Sequence, residues 1–171
     1  MKSIFLTLFL FPLVALSQDC KLTKTKDDFT HEIKLSTGFI PFNSGIDKIL
    51  LSVDVTSTEI DFFFAFTNSG ESICFDNAST AIVNFEGTKS KSTFRNSGSM
   101  NCKGLFHITF RNTSSTPALL QRLSTQKIGS IGFTGNNKKA TTIFLKDEQR
   151  QVLMNMAACI IKEGKTLIKQ P

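Results

Sequence analysis

Ser124 and Lys127 have the spacing that comes nearest to a catalytic motif in this chain. A Ser-x-x-Lys pattern places a lysine amine about one helical turn from a serine hydroxyl, where the amine can serve as the base. The two residues fall where the pattern changes from helix to strand, and the other motifs of penicillin-binding enzymes are absent. A serine hydrolase is therefore kept as an alternative, and the sequence predicts no enzyme.

His31 and His107 are the only two histidines of the chain. His107 alternates with Phe106 and Ile108, which predicts a place on the polar face of a strand. A metal or acid/base site would need the fold to bring both histidines to an acid such as Asp76. We predict no metal site and no cofactor.

The four cysteines are Cys20, Cys74, Cys102 and Cys159. No two have a metal-ligand spacing such as Cys-x-x-Cys, and an oxidising compartment favours two disulfides. Three pairings are possible. We favour Cys74 with Cys102, which would join strands, and Cys20 with Cys159, which would pin the first strand to the last helix.

The N-terminus has the pattern of a secretory signal peptide. Lys2 precedes an apolar run at residues 4–16, and Ala15 and Ser17 are the small residues before a cleavage point after residue 17. The run is shorter than the roughly 20 apolar residues of a membrane span. We expect a signal peptide at 1–17, one domain at 18–171, a secreted or periplasmic location, and no membrane span after cleavage.

Composition excludes several classes of function. The formal charge of +6 comes from scattered lysines without an arginine-rich stripe, so we predict no nucleic-acid binding. The chain has 17 Phe but neither Tyr nor Trp, which disfavours a sugar-binding surface. Phenylalanine has no polar group, and its natural place is a dry core.

The stretch 58–75 is predicted to be the centre of that core. Ile60, Phe62, Phe64 and Phe66 fall on one face of an extended strand because side chains alternate. A turn at 68–70 and a return strand at 72–75 would complete a hairpin, and the tight link at 57–58 would join the preceding strand 46–56 in a second hairpin.

Short strands and two helices account for the remaining chain. Further strands are predicted at 20–26, 31–37, 46–56, 81–86, 88–95, 103–111, 127–134 and 140–146. Pro41 suggests an ordered loop at 39–44, with Phe39, Ile40 and Phe42 tucked under the sheet.

A short helix begins at the cap Thr116, and a final helix runs from the cap Asp147 to about residue 163, where Gly164 ends it. The buried stripe of the final helix is predicted to contain Val152, Leu153, Met156, Ala157 and Ile160. The fold class is α+β: a mostly antiparallel, curved or sandwich-like sheet with a short helix and a C-terminal helix packed on it.

Several features resemble small exported proteins of the Bacteroidota. These are the signal ending Leu16-Ser17-Gln18, a cysteine near the mature start, the turn at 27–32, and the segment 127–133 before a strand and a helix that carries Cys159. His31 stands where such proteins often have glycine. The resemblance implies location and fold class and brings no activity or site with it.

The leading functional interpretation is a non-enzymatic exported domain that binds an envelope or extracellular protein, with exposed sheet edges as the contact surface. The oligomeric state is left open. The first alternative is a carrier of a small apolar ligand between the sheet and the C-terminal helix. Its lining would be Phe62, Phe64, Phe106, Phe110, Met154 and Met156, which are also sufficient to fill a dry core.

Overall fold

A computed structural model of the chain describes residues 21–44, 47–67 and 73–168. The predicted signal peptide, Cys20 and the turn at 68–70 lie outside these residues. The described chain is α+β, with two antiparallel sheets, a short helix and a C-terminal helix, as predicted.

Within the described residues, ten strands and two α-helices follow one another along the chain. The strands are β1 (Thr23–Lys26), β2 (Ile33–Ser36), β3 (Ile40–Ser44), β4 (Asp47–Val55), β5 (Glu59–Phe66), β6 (Thr80–Phe85), β7 (Lys91–Arg95), β8 (Leu105–Arg111), β9 (Ile128–Thr134) and β10 (Ala140–Phe144). The helices are α1 (Ala118–Thr125) and α2 (Asp147–Gly164), and a 3-10 turn (Lys165–Leu167) follows α2.

The first sheet has the order β1-β2-β4-β5-β8, and β3 pairs with the same edge of β4 as β2 does. The second sheet has the order β10-β9-β6-β7. The inner faces of the two sheets meet in a core of phenylalanine and aliphatic side chains. Side chains of β5 alternate between buried and half-exposed, so its predicted inner face is confirmed.

Phe133 of β9 joins the two sheets. Its ring centroid lies 5.2 Å from that of Phe64, 5.0 Å from that of Phe66 and 5.2 Å from that of Phe106. All three contacts are edge-on, the arrangement that aromatic quadrupoles favour. The phenylalanines therefore act as the dry interface between the sheets.

One predicted partner of β5, the preceding strand at 46–56, is confirmed as β4, and the other, the return strand at 72–75, is wrong. Antiparallel neighbours on both sides, β4 and β8, pair with it over long registers. In the described part of the return segment, residues 73–75, one isolated bridge is formed, between Phe75 and Asn101. A long ladder with matched apolar faces provides more hydrogen bonds and more burial than a four-residue strand beside a turn.

The predicted loop at 39–44 is also wrong, because β3 covers most of it. Pro41 is accommodated on this short strand at the side of β4. Phe42 is buried and Ile40 packs against the core as expected, whereas Phe39 is 57 % exposed.

Both predicted helices are present, with different starts. Pro117 precedes α1 and no side-chain cap is made, so Thr116 does not cap it. Lys146 is the residue before α2, and its backbone N–H donates to Gln149 Oε1 at 2.9 Å; Asp147 is the first helical residue. Among the described helices, none is long and apolar enough to cross a membrane.

The buried face of α2 contains four of the five predicted residues, and Val152 is the exception. Gly164 does not end α2 by a left-handed turn, since it is helical and the 3-10 turn follows it. A Cβ at Gly164 would lie 2.7 Å from Val55 Cγ2. Glycine is therefore needed here because the helix approaches β4 closely.

Candidate functional site

The structure joins Cys74 to Cys102 by a disulfide, which was the pair favoured from sequence. This bond is compatible with an oxidising compartment. Cys159 is disulfide-bonded too, while its predicted partner Cys20 lies outside the described residues.

Ser124 and Lys127 are not brought together as a nucleophile and its base. Ser124 Oγ donates to the Gln121 carbonyl at 2.8 Å, inside α1. The chain turns extended at Gln126, and Lys127 is exposed on the way into β9. The hydroxyl is thus engaged with the helix backbone.

Among the described residues, His31, His107 and Asp76 do not form a group that could hold a metal ion. His107 Nδ1 lies 2.8 Å from Asp61 Oδ2 instead. Asp76 closes its own turn, and the pKa of this carboxyl is lowered, above all by the Ser79 hydroxyl that donates to it. The pairing of His107 with Asp61 depends on the register of β5 and β8, which the sequence pattern does not specify.

Two aspartates face each other on the outer side of the first sheet. Asp54 of β4 lies opposite Asp61 of β5, with Ser36 and Thr109 as their next neighbours across the sheet. We call these four residues the outer polar row. Facing carboxylates repel, so each must have donors of its own.

Asp54 obtains its donors from two strands. It accepts hydrogen bonds from Ser36 Oγ, from Ser52 Oγ at 2.9 Å and from Lys34 Nζ at 3.1 Å. Burial by itself would raise the pKa of Asp54, but these donors outweigh burial and lower it.

Asp61 is held from the other side. Besides His107 it accepts from Thr109 Oγ1 at 3.3 Å, and the Ser97 and Thr109 hydroxyls lie 2.6 Å apart. Phe63 stacks on the His107 ring with centroids 4.5 Å apart. Both carboxylates of the outer polar row are therefore engaged by donors of the sheet, and the row stabilises the sheet.

The opposite edge of the first sheet is formed by β1, which is exposed to solvent. All four residues of β1 are exposed, and within the described chain β2 is the strand that pairs with it. An edge of this kind presents backbone N–H and C=O groups to solvent and is a template for another strand.

The turn between β1 and β2 is rigidly built and carries an exposed aromatic ring. Asp27 Oδ1 accepts from the N–H of Phe29 at 3.0 Å, from the N–H of Thr30 at 2.6 Å and from Thr30 Oγ1 at 2.9 Å. These bonds, led by the one from the Thr30 backbone, lower the pKa of Asp27. Phe29 is 94 % exposed at the tip.

A groove of about 490 Å³ lies between the start of β1 and α2. Its apolar residues are Leu22, Ile40, Val152 and Met156, and its polar residues include Lys21, Glu148 and Gln151. Helical periodicity places Val152 in the core. Its side chain is exposed instead, because it lines this groove. We call β1, the turn at 27–32 and the groove together the β1 surface.

Beneath α2, described core side chains leave little space. A cavity of about 10 Å³ lies among Phe62, Phe64 and Leu153, which is at the lower limit for a single water. The residues predicted to line a ligand cavity do not share one. Phe62, Phe64, Phe106 and Phe110 belong to the packed core, Met156 belongs to the core and also lines the groove, and Met154 is half-buried on α2.

Sequence patterning gives the turn at 27–30 but not the exposure of Phe29, because a phenylalanine is expected to be buried. The edge position of β1 follows from strand order, which patterning leaves open. Comparisons of the chain with protein-family models, curated proteins and solved structures find no match.

Proposed function

We propose that this protein is an exported, non-enzymatic domain that binds another envelope or extracellular protein through its β1 surface. The observation that supports the proposal is the almost complete exposure of Phe29 on a turn fixed by Asp27. A large apolar ring in water gains nothing for folding.

The geometry of the tip suits recognition. Aromatic side chains provide much of the energy at the centre of protein interfaces, because they bury a large area with few rotatable bonds. A turn that is already ordered loses little further entropy when it binds. Asp27, Asp28 and Glu32 lie close to Phe29 in the sequence, and their negative charge disfavours docking of the tip on an anionic membrane.

Site-specific photocrosslinking tests the proposal in the organism that makes the protein. A photoreactive phenylalanine analogue at position 29 is expected to form one discrete adduct with a partner, and Asp27→Ala is expected to weaken that adduct because the tip loses its order. The matched control has the same analogue at Met100, which is 70 % exposed elsewhere. Identical labelling from both positions, or none from position 29, would overturn the proposal.

A carrier of a small apolar ligand is the second candidate, favoured by the groove of about 490 Å³. In that case a lipid-like molecule should copurify and be identified by mass spectrometry of an organic extract. Val152→Trp, which fills the groove, should abolish copurification, whereas Leu119→Trp on the exposed face of α1 should not.

A further inference from the structure

We infer that the partner presents an acidic, extended segment that pairs with β1 as an added strand. This inference rests on the proposed function and names the chemistry of its partner. Three observations carry it: the hydrogen-bonding register of β1, the charges on that strand, and the groove at its start.

The register shows which backbone groups of β1 point outward. The N–H of Asp27 donates to the Glu32 carbonyl at 2.9 Å, so these two residues lie at a hydrogen-bonded position of the ladder. In an antiparallel ladder such positions alternate, so Thr25 and Thr23 also point their backbone groups at β2. The N–H and C=O groups of Lys24 and Lys26 are left facing the open edge.

The side chains on that edge determine the sign of the charge that the partner must carry. Lys24 lies opposite Leu35 and Lys26 lies opposite Ile33, so both lysines project on the core side of the sheet, just beyond its packed part. A second copy of this strand would place lysine beside lysine, which repels. An acidic residue opposite each lysine gives two cross-strand ion pairs, so the occupant is an acidic segment of another protein.

The groove adds an apolar preference. Leu22 continues the alternation of Lys24 and Lys26 and lines the groove with Ile40 and Val152. A strand added antiparallel to β1 would place a side chain opposite Leu22, above this apolar space. The preferred order is therefore acidic, any, acidic, any, apolar, and the segment begins at the end of β1 nearest Phe29.

Amide hydrogen exchange of the mature, oxidised protein tests strand addition directly. The probes are capped synthetic peptides, Asp-Thr-Asp-Thr-Leu and the matched Lys-Thr-Lys-Thr-Leu. The acidic peptide should slow exchange of the Lys24 and Lys26 amides at least tenfold at saturation and leave the Thr23 and Thr25 amides, already bonded to β2, unchanged. The lysine peptide should slow none of them.

Charge variants test the ion pairs. Lys24→Gln with Lys26→Gln should weaken binding of the acidic peptide about fivefold, since each exposed pair contributes modestly. The control is Lys89→Gln with Lys91→Gln, which removes the same charge from another exposed region and should leave the affinity within about twofold.

The outcomes separate the inference from the proposed function. If position 29 crosslinks to a partner but neither peptide protects Lys24 and Lys26, strand addition is overturned and the binding proposal stands. Without any peptide, the Lys24 and Lys26 amides could become protected as the protein concentration rises, with the protein sedimenting as a dimer. In that case a second copy of the chain occupies the edge, and the inference of an acidic partner is overturned. Protection by both peptides alike would also overturn charge selection.

Discussion

At the scale of single residues, His31 has the least favourable backbone of the β1 surface. Its φ is 57°, in the left-handed region where a Cβ is strained and glycine is free. Glycine has no Cβ and would adopt this backbone without strain.

His31→Gly is therefore expected to raise the free energy of unfolding by about 0.5–1 kcal/mol. The substitution removes the backbone strain, and the greater freedom of glycine in the unfolded chain offsets part of that gain. Urea unfolding followed by far-UV circular dichroism measures the change. His31→Ala is the matched control, since it removes the imidazole but keeps the Cβ. An equal gain in both variants would attribute the effect to the imidazole and contradict this account.

At the scale of elements, the close approach of α2 to β4 decides what can stand at the end of the helix. Gly164→Ala improves helix propensity by about 1 kcal/mol, yet its Cβ would meet Val55. We expect a net loss of stability of about 1–3 kcal/mol from overpacking. Gly129→Ala is the control, because its Cβ would make an ordinary contact at 3.6 Å. A stabilised Gly164→Ala variant would show that the helix moves away without cost.

The elements themselves could largely be predicted, whereas the neighbours of a strand beyond its hairpins could not. Alternation identifies the residues of β5 that face the core, because burial imposes a period of two on any strand. It does not reveal that β8 lies beside β5, since that contact joins residues distant in sequence. Strand β3 could not be predicted because it contains Pro41. Proline argues against a strand in the sequence pattern, although a short strand can tolerate it. The pairing of His107 with Asp61 could not be predicted either, because it depends on β8 lying beside β5.

At the scale of the whole molecule, the disulfide closes a loop that contains β6 and β7. Cys74 and Cys102 are 28 residues apart, and restricting a loop of that length in the unfolded chain contributes about 3.5 kcal/mol in the entropy model.

Cys74→Ser with Cys102→Ser should therefore lower the melting temperature by about 10 °C or more. A loss of about 1 kcal/mol in stability lowers the melting temperature of a domain of this size by about 2–4 °C or slightly more. Thermal unfolding of the unreduced proteins measures this effect. Free-thiol titration of the unreduced wild type checks the premise and should find no reactive thiol among the described cysteines. An unchanged melting temperature would mean that the bond does not restrict the unfolded chain.

The absence of tryptophan and tyrosine from a chain with an exposed Phe29 has a practical consequence. An indole introduced by Phe29→Trp would be the sole strong fluorophore, on an optically dark background. Its emission would shift to shorter wavelength when the tip leaves water for an apolar environment, so one spectrum could report docking without any attached dye.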